Sequence, residues 1–319
     1  MSWRSIFISN PAYLNLKQGS LQIAQAIETQ SVIAKIPLED ISVILIENTG
    51  VTLSAKLLSA CADKQILVIT VGEDYHPNGI FLPYLPHSRA LKIMRAQIKQ
   101  SLVKKKQLWK TIITQKIVNQ AAVLTSFGHN TVAQRLKILA TAVRSGDAKN
   151  SEAVASQLYF RTLWGRDFSR SNTISIVNAA LNYGYAVIRA AIARALCTYG
   201  FLPAFGIFHH NELNAFNLAD DLIEPYRPFV DLHVVDQYTK VRENEAQLTT
   251  QNKAALVNLL HQDIRLTQHE GNGACTLLAG IEATVISLSQ WVLSSKVKNV
   301  RLVMPCVTQV VTYKQTVHE

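Results

Sequence analysis

Between residue 5 and about residue 84 the apolar positions come in short bursts. Residues 5–9, 32–37, 41–47 and 66–70 are rich in Ile, Val and Phe and are bounded by Asn, Gly, Pro and Asp, the pattern of strands closed by turns. One stretch departs from it. In residues 54–64, Ala55, Leu57, Leu58, Cys61 and Ala62 recur at helical spacing, with Thr52 or Ser54 placed to cap. The pattern predicts a small sheet with one short helix. Pro77, Gly79, Pro83 and Pro86 then punctuate residues 77–86 and mark a boundary.

Beyond Arg89 the period changes to that of helices. Residues 90–120 and 131–144 hold few helix breakers, and Asn150-Ser151 precedes an apolar-periodic run to Trp164. Residues 175–199 are Ala-rich and are followed by Gly200, the residue that commonly sits just past a helix end. Residues 211–224, 253–261 and 276–293 also read as helices, while the tail from Lys298 is β-prone and interrupted by Pro. The expectation is an α+β protein: a small β-domain over residues 1–86, then a larger all-α domain over 87–319.

Composition narrows the class. With 48% hydrophobic and 17% charged residues, the chain has enough apolar surface for a core, which excludes global disorder. No apolar run approaches the roughly 18–20 residues of a bilayer span, and the first residues lack the pattern of a signal peptide. Cys61, Cys197, Cys275 and Cys306 are far apart with no CxxC pair, against both a zinc ribbon and a disulfide scaffold. Buried free thiols in a reducing cytoplasm are expected.

Charge changes the picture more. The net +10 is confined to the region after residue 90, since residues 1–90 hold six basic and seven acidic side chains. From Tyr75 to Gly146 there is no Asp or Glu, against twelve basic residues: Arg89, Lys92, Arg95, Lys99, Lys104, Lys105, Lys106, Lys110, Lys116, Arg135, Lys137 and Arg144. Cations without acidic partners attract a polyanion, nucleic acid before an anionic membrane surface. The plainer reading is a solvated helix face.

Three segments carry candidate chemistry. Glu152 opens a helix, where a carboxylate either caps the dipole or serves a site. His209 and His210 follow a Gly- and Pro-containing loop and are either a satisfied polar pair or ligands. Asp221 and Glu224 are three apart and share a helix face, either at a solvated end or around a cation. Carboxylates with imidazole suit Mg²⁺ or Mn²⁺, and a hard cation beside a basic surface suits phosphodiester chemistry.

The runs Glu152-Ala through Tyr159-Phe, Asn178-Ala-Ala-Leu-Asn-Tyr-Gly-Tyr through Arg189, Gly206-Ile-Phe-His209 and Asp221-Leu-Ile-Glu224-Pro-Tyr-Arg-Pro228 resemble, in order and spacing, the Cas1 (Cas-one) family of CRISPR-associated integrases. The stretch from His209 to Asp221 is similar to the form that accompanies Cas9 effectors in type II systems. The resemblance covers nearly the whole chain. It implies a metal-dependent endonuclease and integrase that joins the 3′-hydroxyl ends of captured double-stranded DNA to a CRISPR repeat. It also implies Glu152, His209 and Glu224 as catalytic metal ligands, with Asp221 in support. His209 is preferred to His210 because it completes the Gly-x-x-His pattern. The implied partners are DNA, a second copy of the chain in a homodimer, a Cas2 dimer in a heterohexamer, and Cas9. A non-catalytic DNA-binding scaffold and a general metal-dependent nuclease are the alternatives. Pro225 departs from many relatives and predicts a kink at Glu224.

Overall fold

The structure is a computed structural model and describes residues 4–25, 32–72, 76–83, 89–172, 175–238, 247–267, 274–294 and 301–307. Strands come first: β1 (Arg4–Ile8), β2 (Tyr13–Lys17), β3 (Ser20–Ala24), β4 (Val32–Pro37), β5 (Ile41–Ile46) and β6 (Thr52–Leu53) precede helix α1 (Ala55–Asp63), then β7 (Leu67–Val71) and β8 (Pro77–Phe81). They form two sheets, ordered β1-β5-β7-β8 and β4-β3-β2-β6. In the first, β1, β5 and β7 run parallel and β8 closes the edge antiparallel.

Strand β5 shows why the first sheet is central. All six of its residues are buried, as expected of a parallel strand covered on both faces. Ile41, Ile44 and Ile46 pack with Leu14, Leu21, Leu57 and Cys61 between the sheets and α1. Val43 and Leu45 point the other way, into the core of the helical region. The two faces of this one strand therefore belong to two apolar cores, one within the β-rich part and one shared with the helices.

The helices are α2 (Ala90–Ile98), α3 (Leu102–Ser126), α4 (Asn130–Ala142), α5 (Ser151–Trp164), α6 (Ile176–Thr198), α7 (Asn217–Ile223), α8 (Arg227–Tyr238), α9 (Thr250–Asn258) and α10 (Leu277–Leu293). A short three-stranded sheet adds β9 (Asp263–Leu266), β10 (Cys275–Thr276) and β11 (Pro305–Cys306). Helix α6 is long and apolar enough to cross a membrane, but it is mostly buried among α7, α8, α9 and α10.

Several expectations need correction. Residues 90–120 form two helices, because Ser101 caps a new one by accepting from the Lys104 N–H. Residues 211–216 are loop, and only Asn217–Ile223 is helical. Helix α8 was not expected, since Pro225 and Pro228 mask its start. Residues 77–81 are an edge strand whose proline takes the first position, where a missing N–H is tolerated. Cys61 is buried, but Cys197, Cys275 and Cys306 are only partly so; all four are free. The expected boundary at residues 86/87 and most of the tail from Lys298 lie outside the described residues.

A buried ion pair fastens the two parts. Lys253 of α9 donates to Glu47 at the end of β5, both under 10% exposed. Removing one partner of such a pair leaves a buried charge and costs about 3–5 kcal/mol, whereas replacing both by apolar groups is close to neutral. Lys253→Met should therefore lower stability in urea by about 3–5 kcal/mol. The double variant Lys253→Met/Glu47→Leu should recover most of the loss.

Candidate functional site

Helix α3 lies under the site. Its core face carries Ile112, Ile113 and Ile117, all fully buried, and Lys116 falls in the same register at 6% exposed. Lysine is almost never buried without a partner, and here it has two. Its Nζ lies 2.5 Å from Glu152 Oε1 and 2.5 Å from Glu224 Oε2. The two carboxylates thus approach each other to no more than twice that distance, with an ammonium between them. Burial disfavours the Lys116 charge, but Glu224 and then Glu152 outweigh it, holding the ammonium above its usual pKa.

Glu152 reaches this point because another residue caps its helix. Asn150 adopts a left-handed conformation, φ 52°, which asparagine tolerates, and makes no side-chain cap. Asp147 turns back instead and accepts from the Ser151 N–H at 2.8 Å and the Glu152 N–H at 2.9 Å. The Glu152 side chain is left free to pair with Lys116, so the capping alternative for Glu152 falls to Asp147.

Glu224 follows the last residue of α7 and is 5% exposed. Pro225 ends the helix there, and α8 starts afresh at Arg227, so the break expected at Pro225 is present. The break brings Arg227 back onto Glu224, Nε to Oε1 at 3.0 Å, with the guanidinium stacked on the Tyr185 ring at 4.6 Å. Burial would raise the Glu224 pKa, but Lys116 and Arg227 prevail and hold it down to about 2. Oε2 of Glu224 has its charge partner in Lys116 but no well-directed hydrogen bond. An anionic oxygen held by charge without directional bonding is a suitable donor for a cation.

Asp221 shares the helix yet faces elsewhere. It is fully buried and gathers the loop at residues 206–209, accepting from the N–H groups of Ile207 (2.5 Å), Phe208 (3.2 Å) and His209 (3.0 Å). The loop wraps so closely that a Cβ on Gly206 would collide with the His209 carbonyl. The His209 ring adds a fourth contact, Nδ1 to Asp221 Oδ1 at 2.8 Å. Phe208 stacks on buried Trp109 with centroids 4.3 Å apart, and His209 stands edge-on to both rings. The hydrogen bond to Asp221 raises the His209 pKa against partial burial, with Asp221 and Glu224 charges adding to the effect. His210 is exposed and turned to the Phe208 carbonyl.

The structure thus joins Glu152 and Glu224 through Lys116 and sets His209 beside them on Asp221. Among the described residues no three of His, Cys, Asp and Glu stand at metal-cage spacing. Lys116 is the residue that sequence reading misplaced, by counting it with the DNA-facing cations. The usable signal was its spacing, in step with Ile112, Ile113 and Ile117. Of the remaining eleven basic residues, nine are exposed; Lys104 and Lys105 are partly buried, donating to the carbonyls of Ser294 and Gly206.

Asp221→Asn tests the support of His209. With the acceptor charge gone, the ring titration followed by NMR should fall toward the ordinary value of about 6.5. In the parent protein, protonated His209 adds stability that is fully present below the unfolded pKa and is lost as pH rises through the higher folded one. That acid-side gain should shrink in the variant.

Comparison with known proteins gives the family. Residues 6–267 match the family described as CRISPR associated protein Cas1. The chain is 45% identical over 302 residues to the CRISPR-associated endonuclease Cas1 of Neisseria meningitidis serogroup C (strain 8013), covering 95% of this chain and 96% of that one. Among solved structures, a casposase bound to its integration product superposes with a TM-score of 0.69 at 18% identity, over 93% of this chain and 92% of the casposase. A Cas6-RT-Cas1–Cas2 complex gives 0.67 at 15% identity, over 94% of this chain and 36% of the longer one. The chain belongs to the Cas1 family of CRISPR-associated endonucleases.

Proposed function

We propose that this protein is a spacer-acquisition integrase that joins the 3′-hydroxyl ends of a double-stranded DNA fragment to a CRISPR repeat by metal-dependent transesterification. The observation that carries the reading is the pair of carboxylates, Glu152 and Glu224, drawn around one cation beside a His held by a buried Asp. Glu152, His209 and Glu224 would hold Mg²⁺ or Mn²⁺, and such an ion supplies Lewis-acid stabilisation of charge at the phosphate and the attacking oxygen. Asp221 fixes the imidazole through Nδ1, so Nε2 of the neutral ring would be the nitrogen left to hold the ion. Arg227 keeps Glu224 ionised and aimed.

The nine exposed basic residues on α2, α3, α4 and their flanks would hold the DNA backbone, contacting phosphates more than bases. The β-rich part, residues 1–86, would join two copies into a homodimer, with residues 87–319 as the catalytic, DNA-binding part. In support, edge strand β4 exposes Val32 and Ile33 at 44% and 63%. A Cas2 dimer as partner is supported by the structural likeness to a chain of the Cas6-RT-Cas1–Cas2 complex. Cas9 as a further partner, and action in the cytoplasm, rest on the resemblance to type II relatives.

Glu152→Gln is the cleanest probe, because Glu152 is 31% exposed while Lys116 keeps Glu224 as its partner. Glu224→Ala would strand two cations at a buried site, with a stability loss of about 3–5 kcal/mol. In a joining assay with short duplexes, a repeat-bearing target, Mn²⁺ and a Cas2 partner, Glu152→Gln should reduce strand joining on the order of 10²-fold or more. Duplex affinity measured without divalent cation should be unchanged and should fall steeply with salt, each neutralised phosphate adding about −0.9 to the slope of log K against log salt. Joining at the parent rate would refute the assignment of Glu152. A flat salt dependence would refute the DNA surface, and cut but unjoined products would point to a general nuclease.

A further inference from the structure

Lys116 has no role in the chemistry above, yet it occupies the centre of the site. We propose that Lys116 couples cation binding to DNA binding: its ammonium fills the space between Glu152 and Glu224 in the free protein, and it gives way to a divalent cation most readily when a DNA phosphate is present to accept its charge. This rests on the assignment of Glu152, His209 and Glu224 as the metal site.

Glu152 and Glu224 already face two cations, Lys116 and Arg227. Counting Asp221 as well, a divalent cation beside these groups would leave a net positive charge uncompensated around a carboxylate that is 5% exposed. One of the resident cations must therefore withdraw, or an anion must enter. Arg227 is poorly suited to leave. Its Nε is bonded to Glu224, and its guanidinium is stacked on Tyr185, whose own hydroxyl donates to buried Asp231. Lys116 is better suited. It is a compact charge on a flexible four-carbon stem, and its bond to Glu224 is close without being well directed.

The direction of withdrawal is set by exposure. The floor of the site is α3 itself, lined by buried Ile112, Ile113 and Ile117. The open side is the one where the Glu152 and His209 side chains are 31% and 41% exposed. A phosphate approaching the site arrives from that side and meets the ammonium there. The consequence is thermodynamic and reciprocal: DNA should raise the affinity for the cation, and the cation should raise the affinity for DNA, by the same factor. Free protein would then hold the cation weakly, and the loaded site would assemble on its substrate.

The test uses the full chain and Mn²⁺ followed by electron paramagnetic resonance, with and without a short duplex, corrected for Mn²⁺ held by the duplex alone. In the parent protein the duplex should tighten Mn²⁺ binding roughly 10-fold, within the usual range of such couplings. Lys116→Met should bind Mn²⁺ about 10-fold more tightly than the parent without DNA, and the duplex should add little, because the competing charge is gone. Parent and variant with the same affinity and the same response to duplex would overturn the proposal while leaving the metal site standing. No Mn²⁺ binding by either protein, with or without duplex, would overturn the metal site and the proposal together. A measurement on the unaltered protein covers the case of a variant that fails to fold. The Lys116 amine should resist a water-soluble acylating reagent in the free protein and react several-fold faster at saturating Mg²⁺ without DNA, read by mass spectrometry of the α3 peptide. An unchanged rate under those conditions would also overturn it.

Discussion

The ammonium of Lys116 between Glu152 and Glu224 is the contact on which the rest of the site is arranged. Three carboxylates converge on a largely buried region, and each needs its own compensation, because an unpaired charge out of water is costly. Glu152 and Glu224 take the ammonium, and Glu224 takes a guanidinium as well. Asp221, the most buried of the three, uses no formal cation; it is surrounded by three backbone N–H groups and an imidazole. The division explains how Asp221, within α7, and Glu224, just past its end, avoid direct repulsion although only three residues apart. One faces the preceding loop and the other faces α3 and α8.

Backbone geometry follows from that division. The loop at residues 206–209 must pass close enough for consecutive N–H groups to reach one carboxylate, and Gly206 permits the approach. Helix α7 must end at Glu224 for Arg227 to return onto it, and Pro225 enforces the end. Helix α5 must be capped by a residue other than Glu152, and Asp147 does so from the preceding turn. Beneath these, the Val43 and Leu45 face of β5, packed into the helical core, and the Lys253–Glu47 pair tie the strands to the helical region.

Much of this was legible in the sequence, and what was missed has physical reasons. The shift from strand to helix character near residue 90 shows in the change of apolar period. The Ser54 and Ser175 caps can be read from their hydroxyls, and the break at Pro225 from proline chemistry. Helix α8 escaped because two prolines at its start look like loop, although proline is at home in a first helical turn. Strands β2 and β3 escaped because polar Asn15, Lys17 and Gln22 dilute their apolar signal on the outward face. At the site, Glu152, the His209-His210 pair, Asp221 and Glu224 stand out by type and spacing, while the choice of His209 and of the ligand set rests on the resemblance to the Cas1 family. Lys116 does not stand out, because a lysine in a basic stretch looks like surface until its helical register is compared with the isoleucines around it. Asp147 was hidden similarly: its carboxylate acts four and five residues onward, across a turn that no propensity predicts.

Whether these side chains form a binding site for one divalent cation is decided by locating that cation. Crystals of the protein with a short duplex and Mn²⁺, measured at the manganese absorption edge, would place the ion by its anomalous signal without reference to any assumed role. A single strong peak bounded by Glu152, His209 and Glu224 is expected, with the Lys116 ammonium displaced from between the carboxylates. A peak elsewhere on the protein, with Lys116 still bridging Glu152 and Glu224, would contradict it.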